Sequence, residues 1–156
     1  MNRIARLLAP DQIVLDLPVS SKKRAFEQAA LLFENRQGIE RGRVFDALFA
    51  RERLGSTALG ESVAIPHGRI KGLREAALAL LRLEDPVPFD APDGEPVRLL
   101  VCLLVPEHAT EEHLELLSEA AELLSDRGLR RTLLTAEDPV RVFQALSSWE
   151  PYRPAA

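Results

Sequence analysis

Two stretches of this chain, residues 76–83 (AALALLRL) and 97–105 (VRLLVCLLV), are apolar almost without a break, each interrupted by one arginine. Strands read this way when both of their faces are covered, whereas a strand with one wet face alternates polar and apolar residues. Both runs fall well short of the roughly 18 apolar residues of a membrane span. They stand among segments of helical period, so the expected architecture is α/β: a single domain in which helices cover a sheet.

The flanking segments supply those helices. Phe26, Ala29, Ala30 and Phe33 recur at i, i+3, i+4 and i+7 and so line one helix face; Ser20 or Ser21 is placed to cap its start and Gly38 to end it. Before it, Ile13, Val14, Leu15 and Leu17 read as a short strand stopped by Pro18. After it, the pairs Val44/Phe45 and Leu48/Phe49 predict a second helix from about residue 40 to Arg51 or Arg53, broken by Gly55. Thr110 is placed to cap a helix beginning EEHLELLSEAAELLS, with Glu111 and Glu112 favourable in its first turn and His113 on its inward edge. Gly128 is expected to close that helix, a short helix to cover residues 129–135, and Asp138-Pro139 to start the last, whose inward residues include Val142, Phe143, Leu146 and Trp149. Residues 85–96, DPVPFDAPDGEP, read as turn chemistry, and residues 150–156 as a disordered tail.

Composition narrows the function. Of 156 residues 46% are apolar, enough for one core without disulfides or a structural metal. The net charge of -4 comes from 20 basic and 24 acidic residues intermixed along the chain, which is no footprint for nucleic acid; a protein or a small anionic partner is the expectation. The one cysteine, Cys102, lies inside an apolar run, so it reads as a core residue and fits a reducing compartment. The N-terminal sequence MNRIARLLAPDQ holds too short an apolar stretch for a signal peptide, and a cytoplasmic location without membrane insertion is expected.

The segment GSTALGESVAIPHGRIKG, residues 55–72, carries four glycines and one proline, which suits short strands with sharp turns better than a helix. Chemistry is expected here. No G-x-x-x-x-G-K-[ST], G-x-G-x-x-G or G-x-S-x-G pattern occurs, which leaves the three histidines, His67, His108 and His113. Pro66 restrains the backbone before His67, and Gly68 after it leaves room for a ligand to approach the main chain. A neutral imidazole is a competent nucleophile near neutral pH, and attack on phosphorus gives a phosphohistidine suited to onward relay. Such transfer asks for donors to the equatorial oxygens, for which Arg51, Arg53, Arg69 and His113 are the candidates. His113, at a helix start, can hold a phosphate oxygen as a neutral N–H donor, whereas His108 follows Pro106-Glu107 in an exposed loop. The spacing of His108 and His113, and the lack of a cysteine or clear carboxylate ligand beside them, argue against a metal centre; no metal or cofactor is expected.

Arg51-Glu52-Arg53-Leu54-Gly55-Ser56-Thr57, Gly60, Val63-Ala64-Ile65-Pro66-His67-Gly68-Arg69 and His113-Leu114 with Leu116-Leu117 resemble the signature of fructose/mannitol-type IIA domains of the phosphotransferase system, over residues 4–148. Ser20-Ser21-Lys22-Lys23-Arg24-Ala25 and the Gly55-Ser56-Thr57 triplet are similar to the nitrogen-regulatory branch. The resemblance implies a mixed, mainly parallel sheet flanked by helices, with His67 phosphorylated in a shallow depression, His113 steadying the phosphate and Arg51 helping to neutralise it. Thr57 and Gly68 are expected to bind phosphate as well. It further implies an HPr-like donor (NPr in the nitrogen branch) and regulated targets such as potassium-transport or sensor-kinase proteins. Two other functions share the same site: a regulatory binding module without onward transfer, and a sugar-transport IIA that donates to a fructose- or mannitol-type IIB.

Overall fold

The computed structural model describes residues 2–108 and 110–151. In chain order its elements are α1 (Arg3–Leu7), a 3-10 turn (Pro10–Gln12), β1 (Ile13–Leu17), α2 (Lys22–Gln37), α3 (Arg41–Glu52), β2 (Ala58–Gly60), β3 (Val63–Ala64), β4 (His67–Ile70), β5 (Ala77–Val87), β6 (Val97–Pro106), α4 (Glu111–Ser125), α5 (Arg127–Thr135) and α6 (Pro139–Ser148). The two apolar runs are the two long central strands. They pair with each other antiparallel, and the sheet runs β1-β5-β6-β3-β2 with β4 also on β6.

The β1–β5, β3–β6 and β4–β6 pairings are parallel and the β5–β6 and β2–β3 pairings antiparallel, so the expected mixed, mainly parallel sheet is found. β3 and β4 lie one after the other along the same edge of β6 in one register, Val63 opposite Leu99 and His67 opposite Leu103. They amount to one strand interrupted at Ile65-Pro66, where proline cannot donate to the ladder.

Side chains of the central strands alternate between two apolar layers. One face, with Ala79, Leu81, Leu100 and Cys102, packs on Phe26 and Phe33 of α2 and Val44 and Leu48 of α3. The other, with Leu78, Leu80, Val101 and Leu103, packs on Leu116 and Leu123 of α4, Leu133 of α5 and Val142 and Leu146 of α6. The arginines that interrupt the two runs converge on Asp16. Arg82, buried, pairs with Asp16 and donates to the Leu133 carbonyl at 3.1 Å; Arg98 reaches Asp16 and the Leu134 carbonyl at 3.2 Å. Both therefore neutralise the carbonyl end of α5 while tying it to the sheet.

The caps follow sequence where a short polar side chain is available: Ser21 accepts from Arg24 N–H and Asp138 from Arg141 N–H, and Gly38 ends α2 with φ 71°. Residues 3–7 form a helix that has too few residues to show a period in the sequence. Two expectations need correction. Gly128 does not close α4, because Asp126 accepts from Leu129 N–H and starts α5 at Arg127, two residues earlier than expected, which leaves Gly128 inside that helix. Residues 85–87 are strand rather than turn; β5 continues to Val87 past an irregularity after Arg82, and such a bulge is where a sheet tolerates Pro86. The tail expected to be disordered lies, from residue 152 on, outside the described residues. No helix among the described residues is long and apolar enough to cross a membrane.

Candidate functional site

The interruption at Pro66 sets up the site. The ladder resumes at His67, and along β4 the residues alternate, Gly68 and Ile70 buried while His67 and Arg69 share the outer side. Gly68 faces α3 so closely that a Cβ would lie 2.8 Å from the Ala47 carbonyl carbon. That contact explains the glycine: it admits the helix, not a ligand, although Gly68 still borders the depression. With α3 held this close, Ala47, Ala50, Arg51 and Leu54 form one wall around His67, and the first turns of α4 bring His113, Leu114 and Leu117 to the other. The depression has a volume of about 520 Å³.

His67 is half-buried, and its Nδ1 lies 2.9 Å from the Ile65 carbonyl oxygen. A carbonyl only accepts, so in the neutral ring Nδ1 carries the proton and Nε2 keeps its lone pair. Desolvation pushes the imidazole below the ordinary histidine pKa; the Ile65 hydrogen bond works in the opposite direction, the Arg51 charge lowers the value further and Glu52 raises it. At a pH equal to the ordinary value, near 6.5, a free imidazole is half protonated while His67 is mostly neutral. A ring-resonance titration by NMR is therefore expected to give a midpoint below that value, and Arg51→Gln to move it up. A wild-type midpoint at or above the ordinary value would contradict this assignment.

His113 has the opposite arrangement. The Thr110 backbone N–H donates to its Nδ1 at 3.0 Å, so Nδ1 is the acceptor and Nε2 carries the proton. Its place in the first turn of α4, at the positive end of the helix dipole, favours an anion beside it. The depression thus combines one imidazole with a free lone pair, one with a free N–H, and a guanidinium. Arg51 is steadied by donating from Nη1 to the Gly55 carbonyl at 2.9 Å. Arg69 is exposed at the rim, and its Nη1 lies 3.5 Å from the Glu107 carbonyl oxygen. These are the groups that in-line phosphoryl transfer requires: a nucleophile and donors for the equatorial oxygens.

Three other candidates lie apart. Arg53 and His108 are exposed and do not border the depression. Thr57 is buried and absent from its walls; its hydroxyl donates to Glu52 Oε2 at 2.6 Å and its N–H to the same carboxylate, so it has no donor left for phosphate. Cys102 is fully buried, and burial pushes its thiol well above the ordinary value. Sequence reasoning missed the Ile65 carbonyl, which no side-chain pattern marks, and the exposed leucines of the rim. Leu54 is 84% and Leu114 58% exposed. An apolar residue between Arg53 and Gly55, in a helix-ending turn, was the available signal for the first.

Residues 6–149 match the family described as the phosphoenolpyruvate-dependent sugar phosphotransferase system, EIIA 2. The nitrogen regulatory protein of Pseudomonas aeruginosa is 43% identical over 92% of this chain and 94% of its own length. The crystal structure of nitrogen regulatory protein IIA-Ntr from Neisseria meningitidis superposes with a TM-score of 0.88 at 50% identity, covering 93% of this chain and 99% of that one. IIA mannitol from Escherichia coli shares the fold, with a TM-score of 0.76 at 23% identity over 89% and 98% of the two chains.

Proposed function

The chain belongs to the EIIA 2 family of the phosphoenolpyruvate-dependent sugar phosphotransferase system, and from that premise we propose that it is a phosphocarrier of the nitrogen-regulatory branch, accepting a phosphoryl group on Nε2 of His67. The observation that carries this reading is the pair of opposite tautomers in one depression, His67 held at Nδ1 by the Ile65 carbonyl and His113 held at Nδ1 by the Thr110 N–H. Nε2 of His67 attacks the phosphorus of a phosphohistidine on an HPr-like donor (NPr). The N–P bond to the donor breaks as the new one forms, and its electron pair returns to the donor's ring. His113 Nε2–H and the Arg51 guanidinium hold the equatorial oxygens. The ring gains positive character as it attacks, which the Ile65 carbonyl offsets through the Nδ1–H. Phosphate on His67 then adds local negative charge that changes binding to regulated targets, with potassium-transport or sensor-kinase proteins as the expected class in the cytoplasm.

The 50% identity with the nitrogen regulatory IIA-Ntr, against 23% with IIA mannitol, supports the regulatory branch over sugar transport. Intact-mass spectrometry after incubation with phosphoenolpyruvate, Enzyme I and an HPr-like protein, at neutral to alkaline pH, tests the acceptor step. One phosphate adduct is the expected result, and none would remove the proposal. Sugar-dependent loss of that adduct to a fructose- or mannitol-type IIB would transfer the protein to the sugar-transport class.

Leu54 and Leu114, exposed on opposite walls of the depression, are the apolar contacts a docking donor would cover. Leu54→Asp is expected to raise the KM for the donor about tenfold with kcat little changed. Equal KM values would place the donor's footprint elsewhere.

A further inference from the structure

The Ile65 carbonyl that orients His67 belongs to a residue which is itself held from behind through its other peptide group. Its N–H donates to the Thr57 carbonyl at 3.0 Å. Thr57 in turn gives its hydroxyl to Glu52 Oε2 at 2.6 Å and its N–H to Oε1 and Oε2 at 3.2 and 3.3 Å. Glu52 closes the series on the Lys22 ammonium, 2.9 Å from Oε1, which also lies 4.5 Å above the Phe89 ring. The Glu52 side chain is 3% exposed.

We propose that Glu52, Thr57 and Lys22 are positioning residues for His67, forming a series from the Lys22 ammonium through Glu52, Thr57 and the main chain of Ile65, held at its N–H and presenting its carbonyl, that fixes which imidazole nitrogen is presented. This rests on the reading of His67 as the phosphate acceptor. A buried ion pair adds little to stability beyond what apolar side chains of the same volume would give, so stability alone does not account for a lysine and a carboxylate here. Their placement does, because the series ends on the nucleophile's ring. The same residue also closes the turn after α3: its carboxylate anchors Thr57 at one end, and within the turn Gly55 N–H donates to the Glu52 main-chain carbonyl at 3.2 Å while the Gly55 carbonyl accepts from Arg51. Glu52 therefore serves both sides of the site, its carboxylate through Thr57 toward His67 and its main-chain carbonyl through the Gly55 turn toward Arg51, as outer hydrogen bonds orient histidines at metal sites.

The test uses the unphosphorylated full chain. Long-range 1H–15N spectra of the His67 ring are expected to show the Nδ1–H tautomer in wild type and a mixture in Thr57→Val, which removes the hydroxyl at nearly constant volume. In donor assays Thr57→Val is expected to lower kcat for phosphate acceptance roughly tenfold with donor KM unchanged, since displaced reacting groups lose rate rather than binding. Thr57→Ser is expected to restore both tautomer and rate. A folded Thr57→Val with the wild-type ring pattern and wild-type kcat would overturn the proposal. If Thr57→Val does not fold, Lys22→Met tests the series from its far end, and a wild-type ring pattern and kcat there would overturn it equally. If wild type accepts no phosphate, the functional reading fails on its own, while the ring tautomer in the variants still decides whether the series positions His67.

Discussion

His67→Ala is expected to give no phosphate adduct under conditions in which wild type is fully labelled. Neither of the other histidines can substitute. His113 has its Nδ1 occupied by the Thr110 N–H and a proton on Nε2, so it presents no lone pair to the depression, and His108 lies outside it. His113→Gln, which keeps an amide N–H for a phosphate oxygen, is expected to accept phosphate more slowly, by up to roughly a hundredfold, as when one donor to a developing negative charge is weakened. Intact-mass measurements over a time course separate the two variants. A labelled His67→Ala would mean that another residue is the acceptor, and equal, complete loss in His113→Gln would mean that His113 does more than hold an oxygen.

Gly68→Ala is expected to lower stability by at least about 1–3 kcal/mol, read as a lower denaturant midpoint at unchanged slope. The added methyl would meet the backbone carbon and oxygen of Ala47 at 2.8 and 2.9 Å, and backbone cannot swing aside as a flexible side chain can. Relief requires α3 to retreat from β4. Because α3 carries Arg51 and Glu52, the remaining folded protein is also expected to accept phosphate more slowly. A midpoint equal to wild type would show that α3 can shift without loss and that its distance from β4 is not a constraint.

These two positions illustrate what a sequence discloses and what it withholds. His67 stood out because Pro66 and Gly68 flank it, and His113 because Thr110 and two glutamates mark a helix start. Local signals of that kind also located α2, α3, α6 and the two central strands. The reason for Gly68 was not legible, since the neighbour that excludes a side chain lies twenty-one positions back and becomes a neighbour only in the folded chain. Thr57, expected to bind phosphate, gives both its donors to the buried Glu52, a contact that no local pattern in the sequence marks. β3, two residues long, is too short to show a period, and its sharing of one register with β4 along β6 depends on non-local pairing. Gly128 looked like a helix terminator because a glycine can end a helix, but Asp126 had already begun the next one.

Arg82 and Arg98 have a second significance at the ribosome and during refolding. Residues 76–83 and 97–105 are the windows most able to pair with copies of themselves while the chain is still open. Each carries a single positive charge within it, and a charge inside such a window opposes intermolecular strand stacking. On folding, the same two charges are taken up by Asp16 and by the carbonyls that end α5. Protection against aggregation in the nascent chain and closure of the native fold are thus performed by the same pair of guanidinium groups, at successive stages in the life of the molecule.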